Sequence, residues 1–182
     1  MPIKFTFNDE KALAALGFVA SIEDGLSPLF VSKVLFFAEK MHINNYGRPI
    51  IGDTFIAMPR GPVPSTIKNY IDHKWDRVEK PDNFDLYISI DNSSGLRCLR
   101  VGGTNYNEKL LSATDRTCLG EAVEFCRGKT AKQLSDLTHF EKSWFNAPVN
   151  RPMEYEDFID DDNPHKPEVI EMMKENAAYG IF

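Results

Sequence analysis

The sequence holds four histidines and three cysteines, the side chains that most often bind metals or act as nucleophiles. None of the histidines stands at a spacing from another His, Cys or carboxylate that metal sites use, such as i, i+4 on one helix. Three cysteines cannot all pair, and no metal-ligand spacing connects them. We therefore expect no metal site and free thiols. The residues are His42, His73, His139 and His165, with Cys98, Cys118 and Cys126.

Other patterns that carry catalysis are missing. The glycines in the stretch GRPIIG, Gly47–Gly52, follow a predicted helix and precede a predicted strand, which is the wrong context for a phosphate-binding loop. No serine lies in a G-x-S-x-G elbow. A Cys126 nucleophile with His139 as its base stays open, although no orienting group accompanies the pair. The sequence predicts neither catalytic residues nor a cofactor, and we expect a protein that is not an enzyme.

Charge is unevenly placed along the chain, whose formal net charge is −6. Residues 1–80 carry 10 Lys and Arg against 9 Asp and Glu, whereas residues 81–182 carry 11 against 18. A net acidic chain is repelled by phosphate backbones, so nucleic acid is not an expected partner. The acids are densest between positions 154 and 162, at Glu154, Glu156, Asp157, Asp160, Asp161 and Asp162.

The sequence has no feature of a membrane or secreted protein. No run approaches the roughly 18 apolar residues that a membrane-spanning helix needs. Asp9 and Glu10 precede the first apolar stretch, unlike the basic start of a secretory signal. We expect no membrane contact and a cytoplasmic location.

Helix signals recur along the chain. Asn8 or Asp9 can cap a helix over Lys11–Ser21, and Ser27-Pro28 begins a longer helix that ends near Tyr46-Gly47. Because the long helix is apolar around much of its circumference, we expect it to lie at the centre of the core. Further helices are predicted over Pro64–Asp72, Asp115–Arg127, Thr130–Leu137 and Glu168–Ala178.

Two short hairpins are predicted between the helices. The first joins Pro49–Ile51 to Thr54–Met58 through Gly52-Asp53. The second joins Phe84–Ile90 to Leu96–Val101 through the polar segment 91–95. The expected fold class is α+β and mainly α, a helical domain with two small β-hairpins.

Two polar and aromatic sets could contact a partner. Arg48 and Asp53 flank the predicted turn and could simply pair across it, while Arg60 stands at a Gly-Pro corner beyond. Thr138-His139 with Trp144 indicates either a helix end whose tryptophan fills the core or an interface, since Trp and Arg concentrate binding energy.

Three segments together resemble a known family: 31–71, 111–115 and 134–148. In order and spacing they are similar to the Panacea domain of SocA-like antitoxins, also met as phage-associated proteins. The similarity spans about Lys11 to Asp160. The positions that carry it are Lys33, Tyr46, Gly47, Arg48, Pro49, Gly52, Asp53, Ala57, Gly61, Pro62, Val63, Pro64, Leu134, Ser135, Thr138, His139 and Trp144.

The resemblance implies a mostly helical antitoxin domain over residues 1–160, with a C-terminal helical extension over 161–182 that packs on or depends on it. It implies a toxin–antitoxin system in which the protein binds and neutralises a toxin encoded beside it. Family members pair with very different toxins, and one mode is that of an adaptor that delivers the toxin to a Clp-type protease. The 72–84 loop and the acidic 154–162 segment depart from the family pattern, so partner choice could differ there.

The sequence leaves three functions open: a toxin-binding antitoxin, a proteolytic adaptor and a DNA-binding regulator, the last of which the acidic charge disfavours. As partner contacts we predict Arg48, Asp53, Arg60 and the six acids of the 154–162 segment. The remaining motif positions are expected to serve the structure. They are Lys33, Tyr46, Gly47, Pro49, Gly52, Gly61, Pro62, Pro64, Thr138, His139 and Trp144.

Overall fold

A computed structural model describes residues 2–93, 95–103 and 105–180. Within that part of the chain the fold is α+β and mainly α, as predicted, with two separate two-stranded antiparallel sheets. The helices are α1 (Asp9–Ile22), α2 (Pro28–Tyr46), α3 (Ser65–Ile71), α4 (Phe84–Tyr87), α5 (Ala113–Cys126), α6 (Ala131–His139), α7 (Lys142–Asn146) and α8 (Lys166–Tyr179), and the strands are β1 (Phe55–Met58), β2 (Gly61–Pro64), β3 (Ile88–Asp91) and β4 (Cys98–Val101).

Four of the longer helices begin at residues whose side chains accept hydrogen bonds from their first-turn amides, whereas α8 begins without such a cap. Asn8 caps α1 and Ser27 caps α2, as predicted. Ser112 and Thr130 cap α5 and α6, each in a reciprocal capping box. Gly47 ends α2 in the left-handed conformation, at φ 61°. The helix boundaries are therefore set largely by local sequence.

Helix α2 lies at the centre of the core, as its apolar circumference predicts. It contacts α5, β2, α6 and α8, and α1 packs against α5 beside it. Phe36 lies 6.0 Å from Phe55 and 5.4 Å from Phe158 between ring centroids, so three distant segments meet in one aromatic cluster. Because its neighbours surround it, polar side chains on α2 are drawn into the interior.

The first hairpin differs from the predicted one. Strand β1 pairs with β2, with Met58 opposite Gly61, so the turn is Pro59-Arg60 rather than Gly52-Asp53. The segment predicted as its first strand is not a strand, because the Ile50 and Ile51 amides donate to the Glu39 carboxylate, at 2.6 and 2.9 Å. The prediction was wrong there because a side chain from α2 takes up the amides that a strand would have used.

The second hairpin is confirmed, although it is shorter than predicted. Strands β3 and β4 pair with Ile88 opposite Val101. The residues before Ile88 form the short helix α4 instead of extending the strand. Ser94, which falls within the predicted connection, lies outside the described residues.

Helix α8 packs against α2 near the end of the described chain. Val169 and Met173 are buried, and Asn176 Nδ2 donates to the Gly47 carbonyl at 2.9 Å. Among the described residues, no helix is both long enough and apolar enough to cross a membrane.

Candidate functional site

Distant segments of the chain converge on the turn of the β1–β2 hairpin. Trp144 Nε1 of α7 donates to the Met58 carbonyl at 2.9 Å, and Ser135 Oγ of α6 donates to the Arg60 carbonyl at 3.1 Å. Lys33 Nζ of α2 donates to the Pro62 carbonyl at 3.2 Å. Side chains from three helices thus hold alternate carbonyls at and beside the turn, those of residues 58, 60 and 62. We call residues 58–62, with Lys33, Ser135 and Trp144, the hairpin-turn site.

Gly61 is required at this site for two reasons. Its φ is 98°, a region that residues with a Cβ rarely adopt. A Cβ at Gly61 would also overlap both Lys33 Nζ and Thr138 Oγ1. The glycine of the Gly-Pro-Val-Pro motif therefore lets the hairpin approach α2 and α6 closely.

We expect Gly61→Ala to lower the free energy of unfolding by about 2–3 kcal/mol, because the backbone is strained and Lys33 must move. Urea denaturation followed by circular dichroism measures this change. The matched control is Gly120→Ala on α5, where a Cβ has no neighbour within 4 Å. That change is expected to stabilise the protein by up to about 1 kcal/mol through helix propensity. Equal effects of the two substitutions would contradict the role given to Gly61.

The end of α6 combines a rigid part with exposed aromatics. His139 stacks on Trp144, with ring centroids 4.0 Å apart, and Thr138 Oγ1 is buried and donates to the Leu134 and Ser135 carbonyls. Beyond them Phe140 is 88% exposed and Phe145 is 77% exposed. We call the segment 137–149, with exposed Leu137, Phe140, Phe145 and Val149, the α6–α7 aromatic segment. Sequence reasoning noticed Trp144 but did not single out its exposed neighbours.

Lys33 is buried in the hairpin-turn site. Burial, and next the nearby positive charge of Arg60, lower the pKa of its ammonium to about 7. Arg60 itself is exposed, as a partner contact requires. The site thus contains one buried amine and one exposed guanidinium group.

A second polar cluster lies inside the fold, centred on Asp115 of α5. Its Oδ2 lies 3.0 Å from Lys11 Nζ, and its Oδ1 lies 3.1 Å from His42 Nε2 and 3.3 Å from Arg48 Nη1. The Oδ1 contacts lack good hydrogen-bond alignment, and the one with Arg48 is an ion pair. Burial alone would raise the pKa of Asp115, but the close approach of His42 Nε2, and next the hydrogen bond and charge of Lys11, bring it below its usual value. This cluster ties α1, α2 and α5 together.

Glu39 adds a buried carboxylate near the same cluster. Burial raises its pKa to about 7, although the bonds from the Ile50 and Ile51 amides oppose this. His42 Nδ1 donates to the Arg48 carbonyl at 2.9 Å. Both Glu39 and His42 are buried. These two side chains fix the irregular segment that follows α2.

Two of the predicted partner contacts serve the structure instead. Arg48 faces Asp115 and not Asp53, so the pair expected across the turn does not form. Asp53 is buried, and its carboxylate accepts from the Thr66 and Ile67 amides at 3.0–3.1 Å, which caps α3 from a distance. The Asp53 side chain has no exposed surface in the free protein, and its contact with a partner stays a prediction.

Three of the six acids of the 154–162 segment pair with lysines. Lys40 lies 2.7 Å from Asp160, and Lys142 lies 2.7 Å from Asp161 and 3.8 Å from Asp157. Among the residues that the structure describes, the acids of this segment without an ion pair are Glu154, Glu156 and Asp162. Glu156 accepts from the Ile3 amide at 3.1 Å, which leaves Glu154 and Asp162 as the exposed, unpaired acids.

The remaining motif positions surround the end of α2. Gly47 and Gly52 both have positive φ, at 61° and 73°, which explains the need for glycine. Pro49 is buried, and the Tyr46 ring lies 4.7 Å from the His42 ring. These residues shape the route from α2 into β1.

The β3–β4 hairpin could have formed a basic wing for nucleic acid, but its arginines are engaged. Arg97 lies 2.5 Å from Asp72, and Arg100 lies 2.7 Å from Asp24 and 2.9 Å from Asp91. Paired arginines present less positive charge to a phosphate backbone. The geometry of this hairpin does not favour DNA binding.

The environment of the cysteines does not favour nucleophilic chemistry. All three are free thiols, and burial raises the pKa of Cys126 to about 12. Almost no thiolate forms near neutral pH under such conditions. Across residues 2–93, 95–103 and 105–180, no three His, Cys, Asp or Glu side chains lie in an arrangement that could hold a metal ion.

A family model described as Antitoxin SocA-like, Panacea domain, matches residues 31–145. The matched range begins in α2, ends in α7 and includes the whole hairpin-turn site. It leaves out α1, the acidic 154–162 segment and α8. No curated protein and no solved structure matches the chain.

Proposed function

The chain belongs to the SocA-like antitoxins, the family of the Panacea domain, and from that premise we propose that it neutralises a protein toxin encoded by a neighbouring gene. Neutralisation proceeds by direct binding, and the protein carries out no catalytic step of its own. The observation that carries the proposal is the α6–α7 aromatic segment, with Phe140 and Phe145 exposed beside the motif residue Trp144.

Exposing a phenylalanine ring to water is unfavourable in free energy, and a partner that covers the ring removes this penalty. Each large aromatic side chain contributes substantial binding free energy when a partner desolvates it, and aromatic anchors dominate many protein interfaces. Phe140 and Phe145 stand five residues apart at the ends of two short helices. We infer that both enter the toxin interface.

The aromatic segment is held in place before any partner arrives. Trp144 is bonded to the hairpin turn and stacked on His139, while Ser135 fixes the start of the same region to Arg60. A preorganised surface loses less conformational entropy on binding than a mobile one. The family motif thus supports the proposed interface without having to contact the toxin at every position.

The charged residues next to this segment support a steering role. Helix α7 packs against the turn at Tyr155–Phe158, so the acidic segment adjoins the aromatic one. Exposed Glu154 and Asp162 attract a basic toxin surface, and such rim charges change association rates more than affinity. Arg60 remains the exposed cation at the hairpin turn.

The test is co-expression of this protein with the product of the adjacent gene. We expect the neighbour alone to arrest growth, and growth to recover when both are produced, with the two proteins co-purifying as a stable complex. Toxin half-life measured in the same cells separates blocking from delivery to a protease. Toxicity that persists in the presence of this protein, with no complex recovered, would overturn the proposal.

A further inference from the structure

Lys33 is a buried amine whose charged form the fold does not balance. The residue is 1% exposed, and Nζ has one hydrogen-bond acceptor, the Pro62 carbonyl. Within the described part of the chain Lys33 forms no ion pair. A buried ammonium normally has a carboxylate partner and bonds for all three of its N–H groups. Lys33 therefore lacks the counter-ion that its position calls for.

An apolar cleft of about 350 Å³ opens beside Lys33. Its wall combines the first turns of α2 with the β1–β2 hairpin, and includes Leu29, Met58 and Val63. Small-molecule and side-chain pockets are often of this size and are mostly apolar, with a few polar groups that fix orientation.

The charges around the cleft are mainly positive. Arg60 lines it and has no carboxylate partner among the described residues. Asp72 is the acid of the lining, and it is already paired with Lys68 and Arg97. What remains unbalanced is the positive charge of Lys33 and Arg60. A ligand that fits both the walls and the charge is apolar and ends in a carboxylate.

Building on the toxin-binding role proposed above, we propose that this cleft receives the C-terminal residue of the partner protein, which combines an apolar side chain with a free carboxylate. The apolar part lies against Leu29, Met58 and Val63, and the carboxylate faces Lys33 and Arg60. Bonds between charged groups in a site of low dielectric are stronger than in water, so one such contact adds both affinity and selectivity.

The cleft itself is tested with two small probes, sodium octanoate and octanol, which share an apolar chain but differ in the carboxylate. In a ¹H–¹⁵N NMR titration of the full chain, we expect octanoate to shift the amide signals of Leu29, Met58 and Val63. Octanol is expected to bind about tenfold more weakly, since a bond to a charged group is lost. Equal binding of the two probes, or no shift at these residues, overturns the proposal.

Lys33→Met supplies the matched variant, because methionine fills similar space without the charge. We expect the Lys33→Met variant to bind octanoate about tenfold more weakly than the wild type does. The variant should then bind octanoate and octanol with equal affinity. Lys174→Met on α8 is the control and keeps the wild-type preference. If Lys33→Met does not fold, Arg60→Gln at the exposed mouth of the cleft replaces it, and undiminished octanoate binding by that variant contradicts the proposal.

The partner's part is tested with the adjacent gene product. Wild-type protein is expected to bind it about tenfold more tightly than Lys33→Met does. If both bind equally, the cleft is not part of the interface and the antitoxin function stands. If the wild type does not bind at all, the antitoxin function fails and the cleft loses its proposed protein partner, whatever octanoate does.

Discussion

Asp115→Ala is expected to lower the free energy of unfolding by about 3–5 kcal/mol, because it leaves buried cations without their counter-ion. Asp115 is fully buried and lies 3.0 Å from Lys11, which is itself buried. Its carboxylate also accepts from the Ser112 amide at 2.9 Å, so the capping box of α5 is lost with it. Urea denaturation gives the change as a shift in midpoint at constant slope.

The matched control is Asp136→Ala on α6. Asp136 forms an exposed i, i+4 ion pair with Lys132, and such pairs contribute less than about 1 kcal/mol. We expect that variant to unfold close to the wild-type midpoint. If Asp115→Ala also unfolds at the wild-type urea midpoint, the buried cluster does not stabilise the fold. The contacts of Asp115 with Lys11 and Arg48 would then contribute nothing to the free energy of unfolding.

The pH dependence of the Asp115 contribution has a definite sign. Because its folded-state pKa lies below the ordinary value, its stabilisation is fully present above pH 4 or so and is lost as the pH falls through the folded-state pKa. The difference between wild type and Asp115→Asn should therefore shrink in acid. Glu39 acts in the opposite sense, since its pKa rises from 4.5 to about 7 and it destabilises the fold as the pH rises across that interval.

Six of the helices that the structure describes were predictable from the sequence because their signals are local, whereas the short helices α4 and α7 were not predicted. Asn8, Ser27, Ser112 and Thr130 cap the helices that follow them, and Gly47 ends α2, all within a few residues of the boundaries that they set. A capping side chain bonds to an amide only two or three residues away, so the helix end can be recognised from a few neighbouring residues.

The first hairpin and the buried cluster could not be predicted in the same way, because their partners are far apart in sequence. Asp53 caps a helix that begins 12 residues later, and His42 meets Asp115 of a different helix. The apolar circumference of α2 could have indicated the buried cluster. A helix that is apolar all round must bury its polar residues too, so Lys33, Glu39 and His42 on α2 had to find partners inside.

In the hairpin-turn site the motif residues were identified from the sequence, but the exposed aromatic side chains beside them were not. The sequence marked Gly61, Pro62, Thr138 and Trp144, and the structure brings them to one turn. Phe140 and Phe145 carried no signal, because an isolated phenylalanine in a sequence is more often buried than exposed. Their exposure follows from the tertiary placement of α6 and α7, which no local pattern encodes.

Replacing both Phe140 and Phe145 with alanine is expected to weaken toxin binding by at least about 100-fold, because truncating an interface anchor costs about 2 kcal/mol or more. The two effects need not add, since neighbouring anchors share the same desolvated surface. Isothermal titration with the purified adjacent gene product measures the affinity, and growth on co-expression measures neutralisation.

The double variant separates binding from folding because its targets are exposed. Phe140 and Phe145 bury little area in the free protein, so their loss should change the free energy of unfolding by less than about 0.5 kcal/mol each. Tyr179→Ala on α8 removes an aromatic side chain that is 79% exposed and should leave both stability and toxin binding unchanged. If the double variant neutralises the toxin as well as Tyr179→Ala does, the toxin binds elsewhere. The exposed, partly acidic surface around Glu154 and Asp162 would then be the next region to mutate.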